Sequence, residues 1–214
     1  MNKLNVLYED NHIIVVFKPA GILSQKDKSG DDDMLTIIKS FIKEKYKKSG
    51  NVYLGLVHRL DRPVSGIMVF AKTSKAASRL SEQIRNNKIH KKYRAIVHGY
   101  LDNKEGTLVN RIEKLDNKKV LLDTPTGKEA ILNYKVIKEK NNLSLVDIDL
   151  ITGRYHQIRL QFANINHPLY GDYLYNKSDN GKLALVSYSL SFTHPVTKEN
   201  MIFTLNDIED YIKL

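Results

Sequence analysis

Residues 58–71 read HRLDRPVSGIMVFA and place one carboxylate, Asp61, between Arg59 and Arg62, ahead of an apolar segment. The apolar run and the preceding VYLGLVHRLD predict two strands joined by a Pro-Val-Ser turn. Flanking arginines favour the ionised form of a carboxylate, which suits a nucleophile better than a general acid. On these residues alone, an aspartate that accepts hydrogen bonds in a turn is the commoner arrangement, so both interpretations stay open.

Positive charge is concentrated from this stretch onward. The 214 residues have a formal net charge of +10, and residues 58–94 contain ten Lys or Arg but only two acids. A concentrated basic segment is typical of proteins that bind a polyanion, most often nucleic acid. A solvated face that only aids solubility is the alternative.

Composition and missing motifs exclude several classes of protein. The chain has no cysteine, which excludes disulfides, thiolate metal sites and cysteine nucleophiles. Because no apolar run approaches ~18 residues and the N-terminus is polar, we expect a cytoplasmic protein. The sequence contains no phosphate-binding loop, dinucleotide fingerprint, serine elbow or paired zinc histidines. Any chemistry is therefore expected from ordinary side chains, with no metal and no organic cofactor.

Two helices are predicted from spacing and capping residues. Apolar residues recur at helical intervals in MLTIIKSFIKEKYKKSG, which follows Asp31, Asp32 and Asp33. Asp33 is a natural N-cap, a simpler explanation for the acidic triplet than a metal cluster. The segment TSKAASRLSEQIRNNK predicts a second helix that begins at Thr73 or Ser74.

Strands predominate in the rest of the chain. HIIVVFKPAG predicts a buried strand ending at Pro19, KYRAIVHGYL predicts another, LNYKVIKEK and LSLVDIDLI are joined at Asn141-Asn142, and LVSYSLSFTHP with MIFTL predicts a hairpin. This pattern favours an α+β fold with a mixed, mostly antiparallel central sheet and flanking helices and loops. Without a linker-like segment, one domain over residues 1–214 is expected.

Three further segments contain candidate functional residues. In GRYHQIRLQ, a helix would place Tyr155 and Arg159 on one face, and Arg159 could bind phosphate, pair with a carboxylate, or be solvated. In KKYRAIVHG, strand alternation points Tyr93 inward, where it is either core or a base-stacking ring. Lys18 ends a strand and either contacts phosphate or extends along the surface. Tyr170 and Tyr173 of HPLYGDYLY either line a ligand-binding loop or belong to a plain turn.

Together these segments resemble the pseudouridine synthases of the RluA class. The matching pieces are LYEDNHIIVVFKPAG, HRLDRPVSGIMVFAK, KKYRAIVHG, TGRYHQIRLQFANINHPLYGD and LSFTHPVTKE, which extend from about Leu7 to Glu199. The resemblance implies a pseudouridine-synthase-type domain that isomerises uridine in rRNA or tRNA without a cofactor. An RNA-binding module that does not modify its RNA is the alternative. We expect a monomer with RNA as its partner and no membrane association.

The resemblance also assigns roles to individual residues. Asp61 matches the catalytic aspartate, Tyr93 the tyrosine that packs against the target base, and Arg159 the arginine that pairs with the aspartate. Whether Asp61 attacks the base or the ribose C1′ stays open. The residues that the resemblance places near the substrate are Arg59, which would help to flip the base, Lys18 at the periphery, and Arg154, His156 and Gln157.

Two features differ from the family pattern. Val64 stands where relatives often have threonine, and little effect is expected because a β-branched side chain is kept. The chain starts directly at the catalytic domain, so we expect it to lack the S4-like RNA-binding module of many relatives. Recognition would then depend on the loops and basic face of the catalytic domain.

Overall fold

The computed structural model describes residues 4–115, 119–212 and 214. The chain forms two compact units. The first unit runs up to Ile89 and includes Ser189–Leu205, and the second contains His90–Tyr188 and the C-terminal segment from Asn206. Within the described ranges, no helix is long and apolar enough to span a bilayer.

Strands and helices alternate irregularly along the chain. In order, they are β1 (Val6–Glu9), β2 (Ile13–Lys18), α1 (Met34–Lys45), β3 (Gly55–Leu56), β4 (Ser65–Ala71), α2 (Ser74–Arg85), β5 (His90–His98), β6 (Glu105–Lys114), β7 (Val120–Leu122), β8 (Lys128–Lys140), β9 (Leu143–Leu150), α3 (Gln157–Asn164), β10 (Leu185–Thr193), β11 (Asn200–Thr204) and a short 3-10 helix (Ile208–Asp210). The strand pairs within each unit are antiparallel. The predicted α+β fold with a mostly antiparallel sheet is confirmed.

In the first unit, β2 is the strand around which the core is built. It pairs with β1 on one side and with β4 on the other. Ile13–Val16 are fully buried, as are Ile67–Ala71 of β4. Because β2 and β4 are buried along nearly their whole length, the residues at their ends are held firmly. Ser65 at the start of β4 directly follows the segment containing Asp61, and Lys18 at the end of β2 pairs with the next residue, Gly66.

Both predicted helix caps are present in the first unit. The Asp33 carboxylate accepts hydrogen bonds from the backbone N–H of Thr36 at 3.1 Å and from its hydroxyl at 2.6 Å. The Thr73 hydroxyl accepts the backbone N–H of Ala76 at 3.2 Å. The two bonds from the backbone N–H groups of Thr36 and Ala76 each satisfy a donor that has no partner within its own helix. Among the described residues, no group of three or more His, Asp or Glu side chains could hold a metal ion.

The second unit contains a five-stranded sheet in the order β5-β9-β8-β6-β7. Asn141 and Asn142 both have positive φ, 53° and 58°, and join β8 to β9 as a two-residue turn. This geometry is the one that short hairpins prefer, and the predicted hinge is confirmed. Helix α3 buries Phe162, whose ring lies 5.7 Å from that of Tyr134 on β8.

Two predicted elements are shorter than the sequence pattern indicated. Of VYLGLVHRLD, only Gly55 and Leu56 form a strand, and HRLD belongs to a loop. Helix α3 begins at Gln157, because His156 adopts a left-handed backbone with φ 53°. Tyr155 therefore precedes the helix, and the expected helical face shared by Tyr155 and Arg159 is wrong.

Replacing Thr73 with alanine should lower the free energy of unfolding by about 1 kcal/mol, because the Ala76 N–H loses its capping acceptor. Chemical denaturation of wild type and Thr73→Ala measures the difference. Ser74→Ala is the matched control, since Ser74 lies inside the helix, and it should change stability by less than about 0.5 kcal/mol. Equal losses from both substitutions would contradict the capping role.

Candidate functional site

Asp61 lies in a loop, residues 57–64, that the first unit holds through its backbone; we call this segment the Asp61 loop. The buried Ser24 hydroxyl donates to the carbonyl of Leu60 at 2.7 Å and accepts the N–H of Leu60 at 3.1 Å. One residue further on, the carbonyl of Asp61 accepts the N–H of Val64 at 3.0 Å. The side chains of Leu60 and Val64 are buried. The backbone on both sides of Asp61 is therefore fixed.

His58 attaches the start of the Asp61 loop to β4. Its Nε2 accepts the backbone N–H of Val69 at 3.1 Å. A ring nitrogen that accepts a hydrogen bond carries no proton, so the neutral ring has its proton on Nδ1. His58 thus supplies the acceptor that Val69 needs on that edge of β4, and it sets the distance between the loop and the strand.

Lys18 is the most unusual side chain of the first unit, because it is fully buried. Its ammonium donates to the carbonyls of Pro19 at 3.0 Å, Ile22 at 2.7 Å and Arg62 at 3.2 Å. An ammonium has three N–H donors, so all three are used within the protein. This arrangement favours a positioning role over the direct substrate contact expected from the sequence.

The pKa of Lys18 is lowered from 10.5 to about 8: burial lowers it most and the nearby Arg62 also lowers it, whereas the negative charge of Asp61 raises it. Desolvation is the largest of these effects because the ammonium has left water. The buried cation thus lies within the electrostatic reach of Asp61 and is attached to the backbone of the next residue. Lys18 couples the end of β2 to the Asp61 loop.

The two arginines beside Asp61 have different surroundings. Arg62 forms an ion pair with Asp31 at 2.8 Å and donates from Nε to the carbonyl of Gly21 at 3.0 Å. The N–H of Gly21 in turn donates to the carbonyl of Arg62 at 2.8 Å. Arg62 therefore connects two loops, whereas Arg59 is exposed.

In the second unit, Arg159 forms a buried ion pair with Asp172. Nε and one terminal nitrogen of Arg159 donate to the two carboxylate oxygens of Asp172, each at 2.7 Å. Both side chains are less than a tenth exposed. This two-bond geometry fixes the plane of the guanidinium, and it accounts for two of its five N–H donors.

Aromatic rings surround the same guanidinium. The Tyr175 ring centre lies 5.4 Å from the central carbon of Arg159. The hydroxyl of Tyr175 is 2.9 Å from Nδ1 of His156, whose ring stacks on that of Tyr155 at 3.9 Å. The His156 ring is therefore held between Tyr155 and Tyr175 at the start of α3. There it orients the helix that carries Arg159.

The loop that contributes Asp172 is anchored by a second acid, Asp179. Its carboxylate accepts the N–H groups of Gly171 at 2.7 Å and Gly181 at 3.2 Å, and lies 2.6 Å from Nε2 of His98. Burial raises the pKa of Asp179, but these hydrogen bonds outweigh burial and lower it overall. A side chain at Gly171, which has φ 76°, would collide with the backbone of Lys182. Glycine is therefore required beside Asp172.

Gln157 and Arg154 shape the turn that leads into α3. The side chain of Gln157 is buried, and its Oε1 accepts the Thr152 hydroxyl and the N–H of Arg154, each at 2.9 Å. Its Nε2 donates to the carbonyl of Ile131 at 3.1 Å. Both ends of the amide are thus engaged by the protein, which favours a structural role over the expected substrate contact. Arg154 donates from Nε to the carbonyl of Glu129 at 2.7 Å.

Tyr93 occupies β5 opposite Ile148 of β9. Tyr93 is buried, whereas the preceding residue, Lys92, is exposed. This alternation is the expected consequence of strand geometry. The prediction that Tyr93 points inward is confirmed.

The predicted site residues thus fall into two groups. Asp61, Arg59 and Lys18 belong to the first unit, whereas Tyr93, Arg154, His156, Gln157 and Arg159 belong to the second. The pairing of Arg159 with Asp61 stays a prediction. Sequence reasoning missed three residues that fix the site, Ser24, His58 and Asp172. For Asp172 there was a signal, because an acid after the glycine of HPLYGD is a natural partner for a buried arginine.

Comparison with known proteins gives a consistent result. Residues 12–164 match the family model described as RNA pseudouridylate synthase. An uncharacterised RNA pseudouridine synthase of Bacillus subtilis, YjbO, is 37% identical over 99% of this chain and 75% of its own length. The dual-specificity RNA pseudouridine synthase RluA of Haemophilus influenzae is 35% identical over 94% of this chain and 91% of its own length.

The fold has a counterpart among solved structures. Human RNA pseudouridylate synthase domain containing 4 superposes with a TM-score of 0.79 at 22% identity, covering 94% of this chain and 88% of the human chain. At this level of identity the likeness concerns the fold.

Lys18 should titrate near pH 8, well below the exposed lysines, because its ammonium is desolvated. Carbon-13 NMR of lysine Cε signals as a function of pH measures this, with Lys18→Met to assign the signal. The unfolded chain, with a pKa of 10.5 at this position, binds more protons than the folded chain between about pH 8 and 10.5. The contribution of Lys18 to the free energy of unfolding should therefore rise with pH across that window.

The exposed Lys39 is the control for this titration. Lys39→Met should leave the pH dependence of unfolding between pH 8 and 10.5 unchanged, whereas Lys18→Met should flatten it. A Lys18 signal that titrates together with the exposed lysines would contradict the burial of its ammonium.

Proposed function

Because this chain belongs to the RluA class of RNA pseudouridine synthases, we propose that it isomerises uridine in RNA to pseudouridine, with Asp61 as the essential group. The observation that supports this most directly is the Asp61 loop itself. Hydrogen bonds from the Ser24 hydroxyl and the Val64 N–H fix the backbone at Asp61. The Lys18 ammonium donates to the carbonyl of the next residue, Arg62. A reacting group gains most from such fixation, since misplacement by about 1 Å can cost roughly 10²-fold in rate.

The proposed reaction rearranges atoms without an external reactant. The bond from ribose C1′ to uracil N1 breaks, the base turns within the site, and a bond from C1′ to C5 forms. The proton on C5 is then lost and N1 gains a proton, so the product has the same atoms as the substrate. Ionised Asp61 acts either on the base or at C1′, and both routes require a carboxylate at this position.

Tyr93 and Arg159 would assist Asp61. The buried Tyr93 ring would pack against the detached uracil and keep it from leaving, and its hydroxyl can help to remove the C5 proton. Arg159 would pair with Asp61 through N–H donors that are not used in the fork to Asp172. The exposed Arg59 would enter the space that the target base leaves when it flips, a step that costs a few kcal/mol of lost stacking.

The substrate and setting are proposed more broadly. We propose ribosomal or transfer RNA as the substrate, since the Haemophilus relative is named a dual-specificity RNA pseudouridine synthase. The proposal further takes residues 1–214 as one catalytic domain that acts as a monomer in the cytoplasm without a cofactor. The net charge of +10 suits the phosphate backbone of either RNA.

Asp61→Asn should abolish isomerisation while leaving RNA affinity within about twofold, since asparagine keeps the shape but cannot act as a nucleophile. Release of tritium from RNA labelled with 5-³H-uridine measures turnover, because the C5 proton is lost only when the base is rejoined through C5. Filter binding measures affinity. Turnover by Asp61→Asn, with deamidation excluded by mass spectrometry, would overturn the assignment.

Asp31→Asn is the matched control, because Asp31 is an exposed acid of the same unit that pairs with Arg62. It should retain most of the activity. The alternative of an RNA-binding module that leaves its RNA unmodified predicts no tritium release from the wild type. Free uracil as a product would identify a hydrolytic nucleosidase instead.

Arg159→Lys should reduce turnover by roughly 10²-fold while changing RNA affinity by less than about threefold. Lysine keeps the positive charge, but it lacks the planar fork that bonds to Asp172 and a second acceptor together. Tritium release and filter binding give the two quantities, with circular dichroism to confirm folding. Equal losses of turnover and affinity would recast Arg159 as a phosphate contact.

A further inference from the structure

Lys91 is a partly buried cation that the proposed mechanism does not use. It lies two residues before Tyr93 on β5, so the two side chains point to the same face of the sheet. Within the described part of the chain, Lys91 makes no hydrogen bond and no ion pair. Its Nζ lies instead beside the backbone of Gly153.

Gly153 makes room for the Lys91 ammonium. A Cβ placed on Gly153 would lie 3.1 Å from Nζ of Lys91, which is tighter than nearly all real contacts of a Cβ. The ammonium therefore rests against a backbone position that only glycine leaves fully open. Gly153 opens the GRYHQIR segment, so this contact brings Lys91 next to Arg154.

These two positive charges repel each other. Burial lowers the pKa of Lys91, and the neighbouring guanidinium of Arg154 lowers it further. Arg154 is held in place through its Nε by the carbonyl of Glu129. Among the residues that the structure describes, neither cation has an ion pair with a carboxylate. A desolvated cation beside a second cation costs stability unless an anion binds between them.

We propose that Lys91 and Arg154 form a binding site for one phosphate of the RNA backbone, next to the nucleotide whose base packs on Tyr93. This inference rests on the proposed function, which places the target base at Tyr93. An RNA strand offers phosphates as its only anionic groups, and an arginine beside a lysine is a common pair for holding one. The contact would position the strand without reading its sequence.

The test measures RNA binding as a function of salt concentration. The probe is a fluorescein-labelled 20-nucleotide oligouridylate, followed by fluorescence anisotropy. The logarithm of the association constant falls with the logarithm of the salt concentration by about 0.7 for each phosphate contact to a single strand. Lys91→Gln should therefore weaken binding several-fold at low salt and reduce this slope by about 0.7.

Lys92→Gln is the matched control. It removes the same charge from the adjacent residue, which is exposed and points to the opposite face of β5. Its slope should change by less than half as much. Equal changes in the two variants would overturn the proposal, because they would show that Lys91 acts only through the overall charge.

A second variant tests the geometry while keeping every charge. Gly153→Ala should shift the Lys91 ammonium by a few tenths of an ångström, and it should weaken RNA binding less than Lys91→Gln does. An unchanged NMR signal of the Lys91 side chain in a folded Gly153→Ala protein would contradict the assigned position of the ammonium. Inorganic phosphate provides a further arm: if it shifts the NMR signal of the Lys91 side chain and the RNA does not, the site binds a free anion and the proposal is wrong.

Thermal unfolding separates binding from a structural role. Lys91→Gln should keep or raise the melting temperature, because it removes a desolvated charge that has no partner. A marked fall in melting temperature would show that Lys91 stabilises the fold, and would overturn the proposal.

The binding assay does not require turnover. A loss of slope without tritium release would refute the proposed function alone, whereas tritium release with an unchanged slope would refute only the phosphate site.

Discussion

The interaction on which the Asp61 loop depends is the buried ammonium of Lys18 with three backbone carbonyls. These carbonyls belong to two segments that are far apart in the chain, the loop that follows β2 and the residue after Asp61. Removing the ammonium would take away the donor that these three carbonyls share, and a carbonyl that water does not reach in its place would lose a hydrogen bond. Burying a lysine ammonium costs desolvation free energy. In return, the buried ammonium fixes the backbone beside the Asp61 carboxylate. The apolar strands β2 and β4 supply the rigid frame from which Lys18 acts.

The second unit uses an equivalent arrangement around Arg159. The fork to Asp172 fixes the guanidinium, while Asp179 and Gly171 hold the loop that presents Asp172. A buried ion pair is seldom a strong source of stability, because desolvation offsets most of the attraction. Its value lies in geometry, since a bidentate pair admits one orientation of the arginine. In each unit, therefore, a polar contact with little net stabilisation holds the backbone or the side chain at a residue of the proposed site.

Patterns within one segment were readable from the sequence, and contacts between distant segments were not. The caps at Asp33 and Thr73, the hairpin at Asn141-Asn142 and the inward Tyr93 all follow from rules that span a few residues. The hydrogen bonds from Lys18 to Arg62 and from Arg62 to Gly21 join residues 44 and 41 positions apart in the chain, and no periodicity predicts them. The sequence pattern placed the start of α3 too early, because His156 takes a left-handed backbone conformation. A histidine can adopt this conformation, but its presence does not predict it.

The basic residues of the two units differ in a way that the net charge does not show. Lys18, Arg62 and Arg159 are engaged by carbonyls or carboxylates of the protein, so they contribute to geometry more than to a surface that attracts RNA. Arg59 and Lys92 are exposed, and Lys91 faces a second cation. Net charge predicts the class of partner, because long-range attraction depends on the sum of charges. It does not predict which cations touch that partner, since this depends on which of them the fold has left without an acceptor of its own. For this chain the distinction separates cations that hold the proposed site in shape from cations that are available to contact RNA.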